Sequence, residues 1–398
     1  MVSRRGFLAG SAAAAASGAA GIAVGAAGAS IAAEQNLDTF AAGRSADFYG
    51  KNQPGIELEI QAVTNMVALD IKDSVTKADM LRWMRLLTDD ISRLMRGEPV
   101  LADPAPELAV GPARFTAYVG FGPSLFAKLR LESELPTGFE ELPAFDVDRL
   151  EERYSGGDVL IHIAADDSIV LAHGTRGLVR DSMPFASVRW VQPGFAHSPG
   201  MIPAGLTHRN LMGQVDGTAN PELGSSDFDS VVWIGEGPEW IRGGTLLVFR
   251  RIAMQLDTWD QLGTPSKEEV IGRKLSNGAP LTGENETDIP DLGARHPNGL
   301  LVIPEFAHIR RAAPEAEGQR IFRRPFSYDN GMNEQGSMDV GLLWTAYQRD
   351  ISKQYLPIQR RLDQLDLLNK WTVPIGSGVY AIPRGIGESE LLAEALFS

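Results

Sequence analysis

Strand-like apolar segments alternate with amphipathic helical segments along most of this chain, and this alternation restricts the fold more than any other feature of the sequence. IELEIQAVTNMVALDIK (56–72) is typical of a strand, and TKADMLRWMRLLTDDISRLMRG (76–97) is typical of a helix. The alternation runs through 56–200 and again through 201–390, with no close sequence repeat between the two parts. It predicts an α+β fold with antiparallel sheets, built as two halves.

The spacing of apolar residues assigns individual segments. In the helix over 76–97 the apolar positions recur at helical spacing and predict one core-facing side; they are Leu81, Met84, Leu87, Ile91 and Leu94. Later segments predict a strand, a glycine turn and a helix over 113–129, strands at 156–167, 243–256 and 340–350, and helices at 258–275 and 350–365. Residues 276–300 are rich in Gly, Asn, Asp and Pro, and they predict a long loop of the kind that is functional or disordered.

The length and the cysteine content limit both the architecture and the chemistry. A chain of 398 residues is long enough for two domains, or for one large domain built from two similar halves. It contains no cysteine, which excludes disulfides, thiolate nucleophiles and cysteine-ligated metal centres. The remaining soft ligands are the six histidines, His162, His173, His197, His208, His296 and His308.

Residues 1–33 predict a targeting segment. The adjacent arginines Arg4 and Arg5 precede a small-residue apolar run that ends near Ala33, which is typical of a twin-arginine signal peptide; an anchor helix is the alternative. The twin-arginine export machinery carries folded proteins, so the prediction is a periplasmic or extracellular protein that receives its cofactor before export. Residues 34–54 read as an extended leader, and the halves are assigned to 55–200 and 201–398.

The charge of the chain argues against two classes of partner. Without Arg4 and Arg5 there are 35 basic residues against 51 acidic ones, a net charge of −16. Such a surface disfavours nucleic acid and anionic lipid. After residue 33 no apolar run is long enough to span a bilayer, so no stable membrane insertion is expected. The sequence allows a homo-oligomer without predicting one.

Two segments of the second half place histidine and arginine in informative surroundings. His308, in IPEFAHIRRAAPE, follows an apolar run and precedes a proline that would end a helix. It could ligate iron, or it could be an ordinary surface or core histidine. In RIFRRPFSYDNG, Arg323 and Arg324 lie among aromatic residues, which suggests a guanidinium that faces an anion. Structural ion pairs explain that second segment equally well.

Together with the loop NLMGQVDGTANP (210–221), these segments resemble the dye-decolourising (DyP-type) haem peroxidases. The GxxDG motif of the family corresponds to Gly213 through Gly217, with Asp216 as its acid. Other matching stretches are GFGPSLF (120–126), GDVLIHIAADD (157–167), GGTLLVFRRIAM (243–254), FAHIRRAAPE (306–315), FRRPFSYDNG (322–331) and GLLWTAYQRDISKQYLPIQRRL (341–362). The resemblance covers about 55–390. It implies two ferredoxin-like halves with antiparallel sheets and peripheral helices, and haem in the C-terminal half.

The resemblance also implies roles for residues of the haem b site. His308 would be the axial ligand of the haem iron, Asp216 the distal acid–base residue, and Arg323 the distal guanidinium, with Arg324 as the alternative. Further haem contacts are implied at Gly217, Thr218, Ala219, Ala313, Pro314 and Glu315. Asn220 falls where some relatives have another distal polar group.

These residue types suit peroxide chemistry. Haem iron needs one protein ligand and one open position. A carboxylate can move a proton between the two peroxide oxygens, and a guanidinium can stabilise the charge that develops as their bond breaks. A second-shell acceptor would raise the basicity of His308. Asp350 is a candidate for that acceptor, although an acid that starts the next helix explains it more simply.

The implied activity is a peroxidase that uses hydrogen peroxide to oxidise bulky phenolic or dye-like donors through a ferryl intermediate. Surface electron transfer could use an aromatic residue, although each candidate is more simply a core aromatic; the candidates are Trp344, Tyr347, Trp371 and Tyr380. Two alternatives use the same haem site: iron release in the manner of a deferrochelatase, and non-catalytic haem carriage. A further alternative, an acidic calcium loop over 216–229, departs from the EF-hand spacing.

Overall fold

The computed structural model describes residues 44–203, 206–334 and 336–398. The predicted signal peptide (1–33) and the first part of the predicted leader (34–43) lie outside the described residues. The rest of the leader packs onto the body of the protein. There the buried Gln53 donates a hydrogen bond to the carbonyl oxygen of Val119 and accepts one from its amide, each 3.0 Å long.

The first half contains a four-stranded antiparallel sheet. Its strands are β1 (Val63–Ile71), β2 (Thr116–Phe121), β3 (Val159–Ala165) and β4 (Ala186–Phe195). They lie in the order β2-β3-β1-β4. Every residue of β3 is buried, as expected for a strand with neighbours on both sides and packing on both faces.

The second half repeats this arrangement. Its strands are β5 (Thr245–Met254), β6 (Phe322–Arg323), β7 (Phe326–Met332), β8 (Met338–Gln348) and β9 (Thr372–Ile382). The order is β9-β5-β8, and β6 and β7 both pair along the free side of β8. When β6 and β7 are counted as one interrupted strand, each half has the order fourth-first-third-second of a ferredoxin-like sheet. The predicted α+β fold with two ferredoxin-like halves is confirmed.

The two sheets join into one closed sheet. One pair of residues joins β2 to β9, Phe121 with Ala381, and another joins β4 to β7, Phe195 with Ser327. The interior is a buried apolar cluster that takes alternate side chains from both sheets, including Met66, Tyr118, Leu160, Trp190, Leu247, Phe249, Leu343, Tyr347 and Tyr380. The halves therefore bury their inner faces against each other.

Helices cover the outer faces. They are α1 (Lys77–Met95), α2 (Pro123–Leu129), α3 (Ser168–Ser182), α4 (Ser226–Val232), α5 (Leu256–Trp259), α6 (Thr264–Ile271), α7 (His308–Ala312), α8 (Leu356–Leu365) and α9 (Glu394–Phe397). Short 3₁₀ helices lie at Pro106–Leu108, Glu132–Glu134, Glu152–Tyr154 and Leu367–Lys370, and a π-helical turn at Ile351–Tyr355 precedes α8. Within the described residues, no helix combines the length and the apolar character that crossing a bilayer requires.

The helix predictions are confirmed in one place and wrong in another. α1 begins with a capping box between Thr76 and Asp79, and its predicted apolar face packs inward. The single helix predicted over 258–275 is wrong, because this segment ends α5 and then forms the separate helix α6. The interruption follows from Gly263 and Pro265: the glycine is extended at the N-cap of α6, and the proline occupies a position in its first turn.

Adjacent leucines of α1 provide a test of this packing. Leu87 is fully buried, whereas the neighbouring Leu86 is 43% exposed. We expect Leu87→Ala to lower the free energy of unfolding by about 2–5 kcal/mol, because it removes buried methyl groups and leaves a cavity. Leu86→Ala should change it by less than about 0.5 kcal/mol. Denaturant unfolding of both variants measures this difference, and equal losses would contradict the assigned face.

Candidate active site

Asp216 lies at the end of a tight reversal of the chain. Arg209 and Val215 form an antiparallel bridge, and the Asp216 amide donates to the His208 carbonyl at 2.8 Å. Gly213, in the reversal, has a φ of +79°, a conformation that glycine adopts without strain. The side chain of Asn210 donates to the Asp216 Oδ2 atom at 3.4 Å. The backbone and this amide together fix where the Asp216 carboxylate points.

The Asp216 carboxylate pairs with Arg323. The distance from Asp216 Oδ1 to Arg323 Nη1 is 3.2 Å, and the two side chains are 13% and 23% exposed. The Asn220 side chain holds the Arg323 backbone: its amide nitrogen donates to the Arg323 carbonyl at 2.7 Å, and its oxygen accepts from the Arg323 amide at 3.0 Å. Asn220 thus uses both of its amide atoms to position Arg323.

The neighbouring Arg324 points elsewhere. It is buried, and its guanidinium donates to the carbonyl oxygens of Leu58 and Glu59 and to the Gln61 side chain. Burial lowers the pKa of Arg324. Of the two arginines that the sequence left open, the structure therefore places Arg323 beside Asp216 and uses Arg324 to connect the two halves.

His308 begins α7 and pairs with a buried carboxylate. Its Nδ1 atom is 2.6 Å from Asp366 Oδ2, and the Asp366 side chain is 2% exposed. Asp366 also caps the 3₁₀ helix Leu367–Lys370 by accepting from the Leu368 amide at 2.9 Å. No residue that the structure describes makes a hydrogen bond to the Nε2 atom of His308. Nε2 is therefore the His308 nitrogen that is available to bind a metal.

The prediction of Asp350 as the partner of His308 is wrong. Asp350 instead caps the helical segment that precedes α8, accepting from the Ser352 hydroxyl at 2.7 Å and the Lys353 amide at 3.0 Å. The alternative, an acid that starts a helix, is confirmed. His308 is approached by the C-terminal end of α8, where Asp366 lies, and not by its N-terminal end, which follows the segment that Asp350 caps. The sequence of α8 does not show which of its ends packs near His308.

One apolar cluster connects the elements that carry these residues. Its buried members are Met212, Met254, Trp259, Val270, Ile271 and Leu342. Leu211, next to the Asp216 reversal, Ile309, next to His308, and Leu367, next to Asp366, pack against it. The carboxylate–guanidinium pair and the histidine–carboxylate pair are therefore supported on the same outer side of the second half.

Comparison with known proteins agrees with this arrangement. The model of the Dyp-type peroxidase N-terminal domain matches residues 53–196, and that of the C-terminal domain matches residues 207–386. The chain is 39% identical to the dye-decolorizing peroxidase of Thermobifida fusca, over 96% of this chain and 94% of that protein. The chain belongs to the DyP-type peroxidase family.

Two further relatives support this assignment. A crystal structure of a DyP-type peroxidase from Cellulomonas bogoriensis superimposes with a TM-score of 0.87 at 44% identity, covering 90% of this chain and 99% of that chain. The deferrochelatase of Escherichia coli (strain K12) is 32% identical over 89% of this chain and 87% of that protein. Proteins of the DyP-type family are haem-dependent peroxidases, so this protein is a haem-dependent oxidoreductase that uses peroxide.

The residues at the site fit a haem group. Among the described residues, no cluster of three or more histidine, aspartate or glutamate side chains could hold a bare metal ion. A single imidazole with one nitrogen on a buried carboxylate is instead the donor set that haem iron requires of a protein.

The remaining predicted DyP-type haem contacts follow Asp216 and α7 along the chain. Gly217 directly follows Asp216 and has a φ of +134°. The Thr218 hydroxyl donates a hydrogen bond to Glu286 Oε1. Ala219 is exposed. Ala313, Pro314 and Glu315 follow α7 and line a cavity of about 340 Å³. Haem contact at each of these positions stays a prediction.

The other candidates of the sequence analysis lie in different surroundings. Tyr347 and Tyr380 are fully buried, while Trp344 and Trp371 are half-buried against the apolar cluster, as expected of core aromatics. In the segment considered as an alternative calcium loop, the Asp227 carboxylate accepts hydrogen bonds from Arg320 at 2.7 Å and 2.8 Å.

Replacing the two adjacent arginines should affect stability to different extents. We expect Arg324→Lys to lower the free energy of unfolding by about 1–3 kcal/mol, because lysine leaves buried acceptors without donors. Arg323→Lys should change it by about 1 kcal/mol or less, since the pair with Asp216 is partly exposed. Denaturant unfolding of the two variants checks this, and a larger loss for Arg323→Lys would contradict the placement.

Proposed function

We propose that this protein is a haem b peroxidase that uses hydrogen peroxide to oxidise bulky phenolic or dye-like donors. The observation that carries the proposal is the close pair of Asp216 and Arg323, supported beside a carboxylate-bound histidine in a chain of the DyP-type family. Asp216 and Arg323 are the proposed catalytic residues. His308 is the proposed axial ligand.

His308 would hold the haem iron through Nε2. Its Nδ1 atom lies 2.6 Å from the Asp366 carboxylate, which fixes the ring orientation and the tautomer. A carboxylate partner also increases the electron donation of the imidazole, which stabilises the oxidised form of the iron. The redox chemistry, reduction of peroxide to water and oxidation of donors, is supplied by the bound haem.

Asp216 and Arg323 would have separate roles in the reaction with peroxide, proton transfer and charge stabilisation. The Asp216 carboxylate takes the proton from one peroxide oxygen and delivers it to the oxygen that leaves as water. The Arg323 guanidinium stabilises the negative charge that develops as the bond between these oxygens breaks. The 3.2 Å contact between Asp216 Oδ1 and Arg323 Nη1 keeps the two groups side by side for these two tasks.

The curated relatives give one alternative a specific basis. The similarity to the Escherichia coli deferrochelatase makes iron release from haem the second candidate function, with the same histidine holding the cofactor. The higher identity to the Thermobifida fusca peroxidase favours the first. Release of iron with free protoporphyrin would identify the second function, and bound haem that never reacts with peroxide would indicate a carrier.

We also propose that the protein is exported by the twin-arginine machinery to a periplasm or beyond the cell. The support is the pair Arg4 and Arg5 before a small-residue apolar run. Haem would then be inserted before export, because this route carries folded proteins.

Replacing Asp216 with Asn tests the proton transfer. We expect the rate constant for reaction with hydrogen peroxide to fall by about 10²–10⁴-fold while haem stays bound, because the amide cannot accept the proton. His308→Ala should instead lower the haem content. Stopped-flow absorbance of the haem measures the rate, and Asp229→Asn, an exposed acid nearby, is the control. A parental rate for Asp216→Asn would overturn its role.

Replacing Asp366 with Asn tests the histidine–carboxylate pair. We expect a more positive midpoint potential of the haem iron, because a neutral amide donates less electron density to His308 than a carboxylate does. Asp350→Asn is the matched control and should leave the potential unchanged, since Asp350 caps a helix and pairs with Lys353 and makes no hydrogen bond to His308. Spectroelectrochemical titration measures both. A shift for Asp350→Asn and none for Asp366→Asn would reverse the assignment.

A further inference from the structure

A carboxylate of the long loop holds both ends of the segment that carries Asp216. This segment, residues 207–218, is called the Asp216 loop below. The Glu286 Oε1 atom accepts a hydrogen bond from the Thr207 hydroxyl at 2.5 Å and another from the Thr218 hydroxyl at 2.8 Å. Two threonines on either side of Asp216 are thus fastened to one oxygen atom.

The same stretch of chain, residues 275–286, contacts the Asp216 loop at two more places. Arg209 donates to the carbonyl oxygens of Leu275 and Ser276 at 2.8 Å and 3.1 Å. Gly278 packs against Val215 so closely that a Cβ atom there would lie 2.9 Å from Val215 Cγ2. Gly278 also has a φ of +73°, so another side chain would be strained. Residues 275–286 therefore form a brace along the Asp216 loop.

Arg273 fixes this brace in turn. Its Nη1 atom donates to the carbonyl oxygens of Gly278 and Glu286, at 2.7 Å and 2.8 Å. Burial lowers the pKa of Arg273, and the charge of Arg323 lowers it further, although Glu286 opposes the change. One guanidinium thus ties Gly278, which packs against Val215, to Glu286, which accepts from the two threonines.

We propose that Glu286 is a positioning residue for Asp216 in the peroxide reaction. It acts through the Thr207 and Thr218 hydroxyls, which hold the loop so that the Asp216 carboxylate stays beside Arg323. A misplacement of about 1 Å of a catalytic group can reduce a rate about 10²-fold. The hydrogen bonds from the two threonine hydroxyls to Glu286 are short and directional, so they restrict movement of the loop that would misplace Asp216. This inference rests on the proposed function of Asp216.

Three variants separate this role from a general structural one. Glu286→Ala removes the acceptor, whereas Glu286→Gln keeps an oxygen to which both threonines can donate. Glu284→Gln is the matched control, an exposed acid two residues away whose side chain pairs with Lys274 at 3.3 Å. If Glu286→Ala prevents folding, Thr207→Val and Thr218→Val remove the two donors instead.

Two measurements are made on each variant. Hydrogen–deuterium exchange of the cofactor-free and haem-loaded proteins follows the amides of Asp216 and Asn220, which are protected by the His208 and Gly217 carbonyls. Stopped-flow mixing gives the rate constant with hydrogen peroxide. We expect Glu286→Ala to speed exchange in both forms and to lower the rate constant by about tenfold or more. Glu286→Gln and Glu284→Gln should match the parent protein.

Each other outcome decides against the proposal. Parental exchange in Glu286→Ala, or equal losses in Glu286→Ala and Glu284→Gln, would overturn it. Faster exchange with an unchanged rate constant would show that the brace is structural only. If the parent protein itself does not react with peroxide, the proposed function fails. Exchange in the cofactor-free protein then still decides whether Glu286 holds the loop.

Discussion

The ion pair between Asp216 and Arg323 is the constraint around which the second half is organised. The two residues are distant in sequence, and a partly exposed pair of charges contributes little stability to hold them together. The structure supplies that support separately for each partner. The Asp216 loop is fixed by its glycine reversal and by Glu286, and the Arg323 backbone is fixed by the Asn220 side chain and by pairing with β8. Hydrogen bonds to backbone, amide and hydroxyl groups thus position the two charged side chains.

The histidine side of the site follows the same design. α7 and α8 exchange hydrogen bonds between arginine side chains and backbone carbonyls, Arg311 to Arg361 and Arg361 to Arg311, both at 3.1 Å. This contact brings the end of α8, and with it Asp366, to His308. One apolar cluster then packs against residues next to Asp216, His308 and Asp366. A single support for both pairs gives their relative position a rigidity that separate loops would lack.

The sequence predicted what depends on local pattern and missed what depends on how elements meet. The amphipathic period predicted α1, and the resemblance to the family predicted Asp216, His308 and the arginine pair as site residues. The choice between Arg323 and Arg324 needed the structure, because alternate residues of a strand point to opposite faces and Pro325 interrupts this one. Asp366 and Glu286 were missed because their contacts join segments far apart in sequence, and their local surroundings resemble ordinary loops.

The closed sheet has a consequence for the half that supplies none of the four central residues. Within the described residues, one residue pair joins the sheets at each seam, and apolar side chains from both halves fill the shared interior. The half that holds the chemistry cannot bury its inner face by itself. A substitution in β1–β4 that disturbs the shared interior would therefore also disturb the second half. Such a variant would retain haem poorly although the substituted residue contacts neither haem nor peroxide.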